Sequence, residues 1–200
     1  MPAGPHQLDG HRVAARLGVA LNGIVTRATD EWVEVAPERV QEALRWLRDS
    51  EEFDAAQLSN LTSVDRHTHF EVVYHLQSLD LNHQVVVKVI LPDHDNPSLP
   101  SAHSVYKGAL LQEREVYDLM GIRFADHPDL RRLFLWEGYP GHPLRKDFLG
   151  MGGGQSTGLR RFPNEDRADP DRQLNAGNLT SQDMPREAGG FGSSMASGGH

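Results

Sequence analysis

The chain contains no cysteine at all. That excludes disulfides, thiolate nucleophiles and cysteine-ligated iron–sulfur clusters together. Long apolar runs are missing too: nothing approaches the ~18 to 20 residues a membrane span requires, and the N-terminus has no signal-like apolar region. The expectation is a soluble, cytoplasmic protein. An excess of positive charge is also lacking, since the formal net charge is −8. Such a chain offers neither the basic face that nucleic acid favours nor a reason to adsorb directly on anionic lipid. Apolar residues are few, 38 % of 200 residues, which predicts a sizeable segment outside any core.

What is present reads as alternating helices and strands. Leu8 to Leu17 has helical spacing, with Val13 and Leu17 on one side and Gly18 as its stop. Glu31 to Val35 alternates like a short strand. Pro37 then introduces a helix over Glu38 to Arg48, whose Val40, Ala43, Leu44 and Leu47 form one apolar stripe. Three strands are predicted next, over Gln57 to Asp65, Phe70 to Gln77 and Gln84 to Leu91, the last two rich in β-branched and aromatic residues. The turn-like Ser78 to His83 makes these last two an antiparallel pair. Asp93 to Pro100 reads as a loop. A helix is predicted from Ser101, as N-cap, to Met120, with Gly121 as the left-handed residue that ends it. The fold class is α+β, a two-layer arrangement of helices on a mixed, largely antiparallel sheet. Residues 1–150 form the core domain. Residues 151–200, rich in glycine and without apolar periodicity, are expected to be an extended tail, disordered when alone.

Residues 113–148 carry the most information. Glu113, Glu115, Asp118, Asp126, Asp129, Glu137 and Asp147 stand against Arg114, Arg123, Arg131, Arg132, Arg145 and Lys146 among Leu, Phe, Trp and Tyr. This near-balance suits an ion-pair network. Glu113, Arg114 and Glu115 cover most of a helix circumference at ~100° per residue, so at least one must face protein. Arg114 and Asp118 are spaced to pair at i and i+4. His127-Pro128-Asp129 reads as the start of a short helix carrying Arg131 and Arg132. Pro140-Gly141 sets a turn before Arg145-Lys146-Asp147.

The string EREVYDLMGIRFADHPDLRR, followed by GHPLRKDF, resembles the signature of the C subunits (the 30-kilodalton subunit family) of respiratory complex I, the NADH:quinone oxidoreductase. FEVVYHLQSL is similar to that family's central strand, and the likeness covers roughly residues 10 to 150. Leu110, Leu111 and Gln112 replace aromatics frequent before the first motif, and Leu149 replaces a proline after the second. The resemblance implies a cofactor-free structural subunit of the peripheral arm. Its neighbours there would be the D, B and I subunits of complex I, the first holding the quinone site and the other two bearing clusters. FMN and iron–sulfur clusters would belong to other subunits. The chain would lie on the cytoplasmic side of the inner membrane as a peripheral member of the complex, with no catalysis of its own. The signature positions implied to meet the neighbours are Glu113, Arg114, Glu115, Asp118, Gly121, His127, Pro128, Asp129, Arg131, Arg132, Gly141, Pro143, Leu144, Arg145, Lys146 and Asp147. The tail would order along partner surfaces.

Other chemistries fit less well. His67 and His69, beside Asp65, form an HxH pair that could serve a metal-dependent hydrolase, yet no HExxH is present and nothing fixes a third ligand. Glu113 and Asp118 are paired carboxylates, but neighbouring arginines should depress their pKa values and disfavour acid–base work. The glycines of 150–158 lack the lysine and strand–helix context of a phosphate loop. A free-standing binding module with an adhesive tail is the remaining alternative.

Overall fold

The computed structural model describes residues 4–139 and 141–148. The predicted tail over 151–200 and the Pro140 half of the Pro140-Gly141 turn lie outside the described residues.

In chain order the elements are β1 (His6–Gln7), α1 (Gly10–Ala20), β2 (Val25–Ala28), β3 (Val33–Val35), a 3-10 turn (Pro37–Arg39) and α2 (Val40–Asp49). β4 (Gln57–Asp65), β5 (Phe70–Ser78), β6 (His83–Leu91) and β7 (Ser98–Pro100) follow. A second 3-10 turn (Ala102–Ser104), α3 (Ala109–Met120) and β8 (Arg123–Ala125) complete the described chain. The main sheet runs β2-β3-β6-β5-β4, with β1 alongside β6, and β7 and β8 form a separate parallel pair. β4, β5 and β6 are antiparallel neighbours, whereas β1 and β3 run parallel to β6. This is the expected α+β architecture: helices on a mixed, mostly antiparallel sheet.

Strand alternation decides which face is covered. Val72, Tyr74 and Leu76 of β5 join Val85, Val87 and Val89 of β6 in the core, against Val13 and Leu17 of α1 and Leu44 and Leu47 of α2. Fully burying each such aliphatic side chain contributes roughly 1.5 to 3 kcal/mol. The intervening Glu71, His75, Gln84, Val86 and Lys88 stay half-buried on the opposite face.

Several boundaries differ from expectation, each for a local reason. α1 starts later, because the Asp9 carboxylate accepts the His11 N–H (2.8 Å) as its N-cap. It also runs through Gly18, whose cost of about 1 kcal/mol relative to alanine is too small to stop a helix anchored by Val13 and Leu17. The long helix expected from Ser101 to Met120 is broken. Ser101 does cap, accepting the His103 N–H (3.1 Å), but what it caps is the 3-10 turn. The buried Tyr106 donates its hydroxyl to Ala55 O (2.7 Å), and α3 begins only after Gly108. β2, β7 and β8 were not expected; the loop predicted over Asp93 to Pro100 ends in β7. No helix follows His127-Pro128-Asp129, because the Asp129 N–H is taken by His127 Nδ1 (3.0 Å) and the chain continues in turns.

Candidate functional site

One group of signature residues, Asp118, Gly121, Arg132 and Gly141 among them, converges on the C-terminal half of α3. Asp118 is fully buried there, and its Oδ2 accepts the N–H groups of Leu133 (3.0 Å), Phe134 (2.8 Å) and Leu135 (2.9 Å). Its Oδ1 accepts from Arg132 Nη1 (3.0 Å). Successive backbone amides aimed at one anion form a nest. Burial alone would raise the Asp118 pKa, but the amides of Leu135, Phe134 and Leu133, with Arg132, hold it below the ordinary carboxylate range. Arg132 also donates to Tyr139 O (3.1 Å) and Gly141 O (3.2 Å), so one ion pair gathers three stretches of the loop.

The pairing of Arg114 with Asp118 does not form, which corrects the helical-spacing expectation. Arg114 instead donates to Arg131 O (3.0 Å) and Arg132 O (2.9 Å), with Asp129 3.7 Å away. Loop carbonyls outcompete a same-helix partner in the weaker orientation. Arg131 pairs with Asp129 (3.0 Å), while Glu115 and Pro128 are exposed.

Gly121 ends α3 in the left-handed region (φ 77°), as expected. The His142 ring lies against it and bonds through Nδ1 to Asp118 O (2.9 Å), while the Leu144 N–H donates to Leu119 O (3.0 Å). The loop thereby satisfies carbonyls that the helix end leaves open. A Cβ on Gly121 would come within 2.5 Å of His142. Gly121→Ala should therefore lower stability by at least the roughly 1 to 2 kcal/mol of left-handed strain. Urea denaturation checks this, and an unchanged midpoint would contradict the packing described.

A second anchor has no signature in the sequence. Asp65, buried at the end of β4, accepts from His94 Nε2 (3.0 Å), the His67 N–H (2.7 Å) and the Lys146 N–H (2.9 Å). Burial opposes ionisation, yet the Lys146 and His67 amides and then His94 hold its pKa low. His94 stacks on Phe70 at 4.6 Å, and Arg145 donates to His94 O (2.9 Å) while lying over the Phe70 ring. Arg145 also pairs with Asp147 (3.1 Å). Residues 145–147 are thus clamped onto the β4–β5 end of the sheet. Only the amide of Lys146 takes part; its side chain is exposed. The HxH pair flanks the turn beside this clamp: His67 is exposed, and His69 Nδ1 bonds to Thr68 Oγ1 (2.9 Å). Among the described residues, no group of three or more His, Cys, Asp or Glu is placed to hold a metal.

Glu113 is the member of its trio that faces protein. Its fully buried carboxyl accepts from Ser101 Oγ (2.6 Å) and the Ala102 N–H (2.6 Å). Burial pushes its pKa up to about 7, against those two bonds. This corrects the expectation that arginines hold it down, because Arg114 points to the loop carbonyls instead. His127 bridges the same region, bonding Leu110 O through Nε2 (3.0 Å).

Outward, the assembly presents apolar side chains. Phe134 is 63 % exposed, Leu144 55 % and Trp136 48 %, on a loop whose backbone is fixed from within, and Leu111 of α3 is 53 % exposed. Apolar side chains exposed on an ordered backbone are the feature of a binding surface.

The family described as respiratory-chain NADH dehydrogenase, 30 Kd subunit, matches residues 33–152. The chain is 42 % identical over 147 residues to the NADH-quinone oxidoreductase C subunit of Roseiflexus castenholzii, covering 70 % of this chain and 84 % of that one. It is 40 % identical over 139 residues to an NADH-quinone oxidoreductase C subunit of Rhizobium etli (68 % and 73 %). With the C subunit of Maricaulis maris the identity is 41 % over 142 residues (70 % of each). A solved chain of the membrane-bound sulfane sulfur reductase, an archaeal respiratory membrane complex, shares the fold with a TM-score of 0.57 at 23 % identity, covering 80 % of this chain and 95 % of that one.

Proposed function

Since this chain belongs to the respiratory-chain NADH dehydrogenase 30 Kd subunit family, we propose that it is a structural subunit of an NADH-quinone oxidoreductase, with no turnover alone. The loop over 131–148, held by Asp118 and Asp65, is the face that meets its partners in the peripheral arm. By the family resemblance those partners are the D, B and I subunits, which hold the quinone site and clusters. Electrons pass through FMN and clusters held by other subunits; a chain without cysteine supplies no thiolate for a cluster. The observation that carries the reading is the Asp118 nest. It spends a buried charge on ordering a loop whose own apolar side chains remain exposed, and such patches mark interaction sites.

Among the described residues no helix is long and apolar enough to cross a membrane. By the same resemblance the chain is a peripheral member of the complex on the cytoplasmic side. Native electrophoresis of gently solubilised membranes, with a tag on this chain, tests the proposal. The tagged chain should migrate in one large band with cluster-binding subunits and NADH-dye activity. Recovery only as a small species without those subunits would overturn it.

A further inference from the structure

The Glu113 carboxyl of α3 is set among neutral polar groups, with no cation placed against it among the described residues. The side chains of Glu113 and His127 are both fully buried, with Glu113 Oε2 3.8 Å from His127 Nε2. His127 cannot serve as a counter-ion in this arrangement. Its Nδ1 accepts the Asp129 N–H (3.0 Å), so the ring proton sits on Nε2 and is directed to Leu110 O (3.0 Å). A second proton on Nδ1 would break the bond that shapes the loop.

The remaining neighbours are no better suited. From the second 3-10 turn come the Ser101 hydroxyl at its cap, the Ala102 amide and His103. Burial and Lys107 hold His103 below its ordinary pKa, and its buried Nδ1 has no hydrogen-bond partner among the described residues. From β5 comes Tyr74, whose buried hydroxyl is likewise without a hydrogen-bond partner among the described residues and whose ionisation is opposed by burial and by Glu113. β4 offers one titratable residue, Asp65, already held by His94 and two amides. On β8, Arg123 is exposed. On α3 itself, Arg114 is committed to Arg131 O and Arg132 O, Asp118 to Arg132, and Glu115 is exposed.

We propose that Glu113 is a buried proton-binding site, occupied in the mildly acidic range where exposed glutamates are already ionised, whose proton keeps the junction of Ser101, α3 and the His127 loop closed. A buried carboxylate with two neutral donors and no cation is poorly compensated, and a proton is the simplest compensation. With the proton bound, the short contact to Ser101 persists in either donor direction, because a hydroxyl both gives and accepts. Without it, a full negative charge faces an unpartnered phenol and a neutral imidazole. The charge is then relieved by opening the junction to water. The site thus binds a proton in the range where ordinary glutamates have already lost theirs.

The test is a carboxyl titration of the full chain labelled with 13C at the glutamate side-chain carboxyl. At about pH 6, where ordinary glutamates are ionised, one protonated carboxyl signal should remain and be absent from Glu113→Gln. Ser101→Ala removes a donor to the charged form and should move that signal to higher pH without moving the others. Should Glu113→Gln fail to fold, the wild-type and Ser101→Ala titrations still decide. Glutamates that all ionise in the ordinary range, or a late signal unchanged by Ser101→Ala and still present in a folded Glu113→Gln, would overturn the assignment.

Discussion

Replacing Asp118 by alanine is expected to be the most damaging single change on the signature loop. It removes the acceptor for the Leu133, Phe134 and Leu135 amides at once and leaves Arg132, whose side chain is 8 % exposed, without its carboxylate. Breaking one partner of a buried ion pair costs roughly 3 to 5 kcal/mol, because the surviving charge remains buried. That is a large part of the roughly 5 to 15 kcal/mol that typically separates folded from unfolded domains. Guanidinium denaturation should show the lowered midpoint, and hydrogen exchange should speed up first at residues 133–135. Asp118→Asn should fall between, because an amide oxygen can still accept from the nest while its NH2 faces Arg132. A loss below about 1 kcal/mol in Asp118→Ala would mean that the nest is not what holds the loop.

The second large effect depends on pH. The folded pKa of Glu113, near 7, lies above its ordinary value of 4.5. The stability it contributes is therefore fully present below about pH 4.5 and is lost as pH rises through 7. The span corresponds to roughly 3 kcal/mol. Asp65, Asp118 and Glu71 act in the opposite sense: their folded pKa values are depressed, so their contribution is lost as pH falls through those values. Wild type alone mixes these effects. The difference between wild type and Glu113→Gln isolates the first, since the other groups cancel. Urea melts at several pH values should show the variant gaining on wild type from about pH 5 to 8, up to that roughly 3 kcal/mol. A difference independent of pH would contradict a raised Glu113.

How much of this was readable from sequence depended on range along the chain. β4, β5 and β6 were legible because each carries nine residues, and the runs of β5 and β6 are rich in β-branched residues. α2 was legible from its four-residue stripe, and Gly121 from its position after the last apolar residue of α3. β7 and β8 were hidden because three-residue strands show no period. The break before α3 was hidden because Tyr106 is anchored 51 residues away at Ala55.

The site divides in the same way. That Asp118 and the arginines form a network was legible from charge density; that Asp118 binds Arg132 rather than Arg114 was not. Three of its four donors are backbone amides, which carry no side-chain signature. In the sequence Asp65 stands out only beside the histidines, because its decisive partner is the Lys146 amide, 81 residues on. Glu113 was expected to be paired and depressed, since the direction in which Arg114 leaves the helix cannot be read from spacing.

The role proposed for the ordered loop is that of a docking surface for partner subunits. That role is tested by Phe134→Asp combined with Leu144→Asp, because both side chains are more exposed than buried. The purified full chain should then unfold within about 0.5 kcal/mol of wild type, as surface changes do. In cells, the same variant should be missing from the large NADH-oxidising band on native gels. Wild-type amounts of assembled, active complex would contradict the claim and send the search for the interface elsewhere on the chain.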